Sequence, residues 1–212
     1  MRELRPGLWH WQAPHPDWRA SEPWDQNVSS YAIDDGDRLL LFDPLAVPSE
    51  LQQRGRERET VIVLTAPWHE RDAQKLVDRL GASVFSQPPD SAQYLMDTYG
   101  ITAEQAGEGS PDIRWLRDDD KTDLPAGIEM FPGHKPNDVV YWVGDHRAVV
   151  AGDTLGDFGN GLQINERWLR GVTREEVAAR LRPLLERPVE LVLPAHGAPT
   201  DRAALERALA PV

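Results

Sequence analysis

The sequence predicts an α/β or α+β protein in which helices cover the outer faces of sheets, and three observations predict it. Short, wholly apolar runs such as VIVL (61–64) and VELVLP (189–194) have the pattern of strands buried on both faces. Helical patterns stand between such runs; at 72–80, Ala73, Leu76, Val77 and Leu80 fall on one face at i, i+3, i+4, i+7. Polar pieces containing His, Asp and Gly follow directly on the apolar runs, at the edge where α/β sheets collect ligand groups.

Each element can be justified in turn. The first 27 residues hold Trp9, Trp11, Trp18 and Trp24, half of the eight tryptophans, mixed with Pro and His. They predict irregular chain that folds back over the core, with indoles as packing groups or as a pocket wall. VSSYAI (28–33), DDGD and RLLLFD (38–43) predict a β-hairpin. VPSELQQRGRE (47–57) predicts an exposed helix with Ser49 as its cap. VIVL is a strand, and the following helix suits an acidic start at Asp72 or Glu70.

ASVF (82–85) is strand-like, and a helix around 90–99 closes on Gly100. Residues 101–125 are acidic and poorly periodic, with DDDK (118–121) a solvated loop. GIEMF (127–131), VVYWV (139–143) and RAVVAGD (147–153) predict three more strands, the last two joined by a turn at GDH (144–146). TREEVAARLRPLLE (173–186) is a helix opened by a capping box between Thr173 and Glu176. VELVLP is a further strand and TDRAALERALA (200–210) a terminal helix. With no internal repeat and no linker-like stretch, residues 1–212 read as one domain.

Composition excludes several functions. A chain of 212 residues that is 40% hydrophobic can bury a sizeable core. A formal net charge of −12 repels phosphate backbones, and the Arg residues near 54–58 and 180–187 are interleaved with Glu, so nucleic acid is not an expected partner. The absence of cysteine removes disulfides, thiol nucleophiles and thiolate metal sites; any metal must be held by His and carboxylate. No signal peptide or membrane-spanning run is present, so a cytoplasmic protein with a small-molecule substrate is expected, without a membrane partner.

Four pieces stand at the ends of apolar runs: WHERD (68–72), PGHKPNDVV (132–140), AGDTL (151–155) and LPAHG (193–197). They place His69, His134, Asp153 and His196 at one edge of a sandwich. His and carboxylate on loops held by strands is the chemistry of a zinc, iron or manganese site. Singly, a histidine at a strand end is an ordinary surface residue and G-D-T an ordinary turn; the force lies in their common placement.

The order LLLFDPL, LTAPWHERD, FPGHKPND, VVAGDTL, LVLPAHGAP resembles the metallo-β-lactamase-fold superfamily from about residue 28 to 200. The resemblance implies a four-layer αβ/βα sandwich with the site between its two sheets. It rests on Gly133-His134, Gly152-Asp153-Thr154 and Pro194-Ala195-His196-Gly197, with Asp43 as a buried structural carboxylate near the site. The T-H-x-H-x-D-H motif of the superfamily is degenerate here. If His69 is its second histidine, Pro67 stands for the first, Arg71 for the metal-binding Asp and Asp72 for the third histidine.

The resemblance therefore implies one divalent metal, zinc foremost, or none, held by His69, His134, Asp153 and His196, with Asp153 also orienting water. Pro67 has no ligating side chain, and Arg71 puts a permanent cation where a carboxylate belongs. Arg71 either pairs with Asp153 or Asp72 and takes over a metal's charge, or points away; Asp72 either caps its helix or ligates. Two functions follow as expectations. One is a metal-dependent hydrolase with an altered, at most mononuclear site, acting on an ester, thioester, lactone or amide rather than on nucleic acid. The other is a non-catalytic binding protein that kept the sandwich and lost its metals.

Overall fold

Alternating burial along the strands builds two sheets around a shared core, and helices close both outer faces. The computed structural model describes residues 1–100, 102–108 and 124–211. The first sheet has six strands in chain order: β1 (Arg2–Arg5), β2 (Leu8–Pro14), β3 (Asn27–Asp34), β4 (Arg38–Phe42), β5 (Glu59–Val63) and β6 (Ser83–Phe85). Its first four strands run antiparallel to their neighbours, and β4, β5 and β6 are parallel. The parallel crossovers carry α1 (Ser49–Glu57) and α2 (Ala73–Leu80).

α3 (Ala92–Tyr99) and α4 (Ala103–Glu108) follow. The second sheet contains β7 (Ile128–Pro132), β8 (Val139–Val143), β9 (Ala148–Gly152), β12 (Leu191–Pro194) and β13 (Thr200–Asp201), in the order β13-β12-β9-β8-β7. A small hairpin of β10 (Leu155–Asp157) and β11 (Leu162–Ile164) precedes α5 (Arg174–Leu181), and α6 (Arg202–Ala208) follows β13.

Period two decides the layers. Leu40 and Phe42 face inward with Tyr31, Val61 and Val63 and meet Tyr141, Val143, Val150 and Leu193 of the second sheet. Leu39 and Leu41, one residue out of phase, face outward and pack with Leu51 of α1 and Leu76 of α2. On the far side, Trp142, Val149 and Val192 pack with Val177 and Leu181 of α5 and Leu205 of α6. The result is the expected four-layer sandwich.

The N-terminal segment differs from the sequence expectation. It is a hairpin, β1 to β2, turned at Pro6-Gly7, where Gly7 has φ +77°. Trp9 and Trp11 lie on the outward face of β2, buried against α1 and α2, with Trp11 Nε1 donating to Leu45 O at 2.7 Å. The interleaved His and Pro hide this alternation in the sequence. Four smaller corrections have local causes. Ser49 is the first residue of α1 and makes no capping bond, because Pro48 takes the N-cap position. The 173–186 helix is α-helical only to Leu181 and continues as a 3₁₀ turn over Arg182–Glu186, where Pro183 lacks an N–H. The 101–125 stretch contains α4; the DDDK loop lies outside the described residues. The β10/β11 hairpin is too short to show a period.

Candidate metal and catalytic centre

The site forms where β4, β5, β9 and β12 end on the same side of the sandwich. Two bonds tie these ends across the sheets: Val139 N donates to Thr65 O at 2.9 Å, and Ser29 N donates to Ala195 O at 2.8 Å. Gly152 has φ +54°, and a Cβ there would stand 2.7 Å from Thr65 Oγ1, so only glycine lets the turn before Asp153 approach the Thr65 loop.

His69 is held from both sides. Its Nδ1 lies 3.0 Å from Asp43 Oδ2 and 2.9 Å from Thr65 Oγ1, and its Nε2 lies 3.0 Å from Asp153 Oδ1. Asp43 is itself fixed by Thr65, whose backbone N donates at 2.9 Å and whose hydroxyl donates at 2.7 Å. Asp43 and Arg71 both have positive φ, +45° and +46°, unusual for non-glycine residues and placed on either side of His69. Burial opposes a charge on His69, but Asp153 and Asp43 outweigh it and push its pKa up to about 10. Burial likewise disfavours the Asp153 and Asp43 carboxylates, yet His69 holds both below the usual range, Asp153 well below, helped by His196.

His196 Nε2 lies 3.2 Å from the same Asp153 Oδ1. Its ring sits in an aromatic collar, with centroids 4.9 Å from Trp24, 5.4 Å from Trp168 and 5.8 Å from Phe158. Asp153 Oδ2 accepts from Trp68 Nε1 at 2.8 Å. Asp153 Oδ1 is buried between two imidazoles and has no aligned hydrogen bond; His196 Nδ1 is also unpartnered. His134 Nδ1 lies 2.5 Å from Asp138 Oδ2, which also accepts from the Thr154 hydroxyl. His134 and Asp153 line one cleft of about 330 Å³ with Trp68, Lys135, Trp168 and Arg170.

The four sequence candidates thus end at one place, but unequally. His69, Asp153 and His196 are in direct contact, while His134 shares only the cleft. Asp43 is the buried anchor of His69. Asp72 departs from both readings: it starts α2 without a side-chain capping bond, accepting instead from Ala46 N at 2.7 Å and from Lys75 Nζ at 2.6 Å. Arg71 turns inward but pairs with neither Asp153 nor Asp72. Its Nη1 donates to Asp43 O at 2.6 Å and Ser29 O at 3.0 Å, and its Nε has no partner. Trp68, Asp138, Phe158 and Trp168 were not singled out in the sequence, whereas Trp24 was among the N-terminal indoles read as packing groups or a pocket wall and now packs against His196. Of the others only Trp68 and Asp138 carried a signal, each lying within a motif beside a candidate histidine.

The donor chemistry suits a single ion. Two histidines carry a carboxylate on Nδ1, the orientation seen behind metal-bound imidazoles, and Asp153 Oδ1 faces the Nε2 atoms of His69 and His196. The spacing does not yet enclose one: among the described residues, no group of three or more His, Asp or Glu side chains is disposed to hold a metal ion. Both imidazoles approach one oxygen, so the three groups form a His–carboxylate–His chain.

The four-layer sandwich is shared with solved structures of low sequence identity. DIM-1 metallo-β-lactamase superposes with a TM-score of 0.65 at 15% identity, over 98% of this chain and 93% of that one. BLEG-1 B3 metallo-β-lactamase gives 0.60 at 22% identity, covering 94% and 97%. A metallo-β-lactamase family protein from Thermus thermophilus gives 0.59 at 18% identity, covering 97% and 78%. No protein-family model and no curated protein matches the sequence. The chain adopts the metallo-β-lactamase fold.

Proposed function

We propose that the protein is a hydrolase built on this fold, with an altered site that takes at most one divalent ion. Its substrate is a small molecule with an ester, thioester, lactone or amide carbonyl. The observation that carries the reading is the buried Asp153 Oδ1, which the Nε2 atoms of both His69 and His196 approach, at 3.0 and 3.2 Å. A buried carboxylate oxygen shared by two imidazoles beside an open cleft gathers three metal-ligating groups at one point, the arrangement of a functional site.

His69, Asp153 and His196 would hold the ion, with His134 available in the same cleft. Zinc, iron or manganese bound there acidifies a water and polarises a carbonyl. The chain's own residues do the rest. Trp68 fixes Asp153 through Oδ2 and so keeps its Oδ1 turned toward His69 and His196. Asp138 fixes His134, so that its Nε2 is the atom left to act on the substrate. Trp68 and Trp168 wall the cleft against bulk water, while Lys135 and Arg170 add positive charge to a site within an acidic protein.

One observation favours the second reading, a metal-free binding protein. His69 between Asp43 and Asp153, together with the inward Arg71, already supplies positive charge where the superfamily places ions. Metal content separates the two. Protein purified without added metal or chelator is expected to carry about one equivalent of zinc, iron or manganese, lost in His196→Ala. Less than about a tenth of an equivalent after incubation with each metal overturns the hydrolase reading and leaves the binding protein.

A further inference from the structure

Beside the His196 collar the surface opens into two adjoining hollows. One, of about 440 Å³, is lined by Gln12, Trp24, Asp25, Asn27 and Asp157 among others; the second, of about 290 Å³, is lined by Asn160, Gln163, Asn165, Glu166 and Arg167 among others. Pro23 and Phe158 line both, so the hollows form one groove, of the size of small-molecule sites. No residue of this groove has a part in the hydrolytic reading.

Its chemistry is unlike that of the cleft. Five carboxamides line it; those of Gln12, Asn27 and Asn165 already bond Ser29 and Gly197, Asp25, and Arg167 respectively, while Asn160 and Gln163 each offer a donor and an acceptor in one plane. The side-chain amides of Asn160 and Gln163 make no hydrogen bond to the described residues. Asp157 Oδ1 accepts from Gly159 N at 2.8 Å and Gly161 N at 2.9 Å, which fixes its carboxylate and leaves Oδ2 as a second acceptor. Phe158 and Trp24 are themselves packed against His196, so they provide a firm apolar floor. Asp25, Asp157 and Glu166 outnumber Arg167, a balance that repels phosphate and carboxylate groups. The density of polar groups does not suit a lipid chain.

A ligand for this groove is uncharged, rich in adjacent donors and acceptors, and apolar on one face. A pyranose ring has those properties, with hydroxyls around its edge and C–H groups on one face for an aromatic ring. We propose that the groove binds a neutral sugar, as a free ring or a short glycoside, next to the aromatic collar of His196. Binding there does not depend on whether the cleft hydrolyses anything.

The full chain can be titrated with methyl β-glucoside and with N-acetylglucosamine, followed by ligand-observed NMR and by the fluorescence of Trp24 and its neighbours. At least one of the two is expected to bind saturably in the millimolar range. The double variant Asn160→Ala/Gln163→Ala, which removes no protein hydrogen bond and is expected to melt as the wild type does, should weaken that binding at least about fivefold. Equal affinity in the variant overturns the proposal. So does a lack of saturable binding by either sugar, or binding confined to glucose 6-phosphate or to a diamine such as putrescine. None of these outcomes bears on the metal content of the cleft.

Discussion

His69 shows how two carboxylates can set one imidazole's chemistry. With Asp43 at 3.0 Å on one nitrogen and Asp153 at 3.0 Å on the other, both N–H groups have an acceptor and the cation is favoured despite burial. A pKa raised to about 10 in the folded chain, against about 6.5 for an ordinary histidine, has a definite consequence for stability. The stabilisation is fully present below about pH 6.5 and is lost progressively as pH rises toward about 10, because the folded state binds a proton that the unfolded chain releases. Urea midpoints of chelator-treated protein at about pH 6, 8 and 10 should therefore fall with pH, and the fall should be markedly smaller in His69→Gln. An equally steep decline in the variant would mean that His69 is neutral in the fold. Residue identity was legible here, since TAPWHERD shows His69 between an apolar strand and a helix. The opposing carboxylates were not, because Asp43 is 26 positions and Asp153 is 84 positions away in the chain.

Among the elements, the turn ending β9 makes the heaviest demand on sequence. Gly152 bends the chain at φ +54° so that Asp153 projects toward His69, and its missing side chain leaves room for Thr65. Gly152→Ala should cost about 2–4 kcal/mol, from the positive φ and from the displaced Thr65 hydroxyl together. Because Thr65 also holds Asp43, the change should disturb His69 as well, visible as a shifted His69 imidazole resonance by NMR. A variant with wild-type stability would mean that the loop yields without strain. The G-D-T motif announced this turn in the sequence, whereas the β1/β2 hairpin was hidden by its mixed Trp, His and Pro composition. The difference is physical: a turn is written in two or three adjacent residues, but a strand with polar insertions becomes one only when a neighbour pairs with it.

Across the whole molecule, two buried tyrosines brace the sheets reciprocally. Tyr31 of the first sheet donates to Pro194 O at 2.8 Å, and Tyr141 of the second donates to Leu64 O at 2.9 Å. Both acceptors lie just before site loops, Leu64 ahead of Thr65 and Pro194 ahead of Ala195 and His196. Tyr31→Phe and Tyr141→Phe should each lower stability by about 1 kcal/mol or somewhat more, since each leaves a buried carbonyl short of a donor. The two losses should be nearly additive in the double variant, because the bonds share no atoms. Denaturant unfolding of the three variants checks this; a double variant no worse than either single one would show that the braces act as one unit.

The sequence by itself determined most of the elements and helices on the outer faces, because strand and helix periods are local; the four-layer arrangement followed only from the family resemblance. The sequence also placed four candidate ligands at strand ends, for the same local reason. Only the tertiary structure decided which of them meet. A side chain at a strand end is aimed by the loop that follows, and these loops are set by bonds between sheets, such as Val139 N to Thr65 O, that no local pattern encodes. That is why His69, Asp153 and His196 share one oxygen, why Asp72 turns to Ala46, and why Arg71 lies against the carbonyls of Asp43 and Ser29.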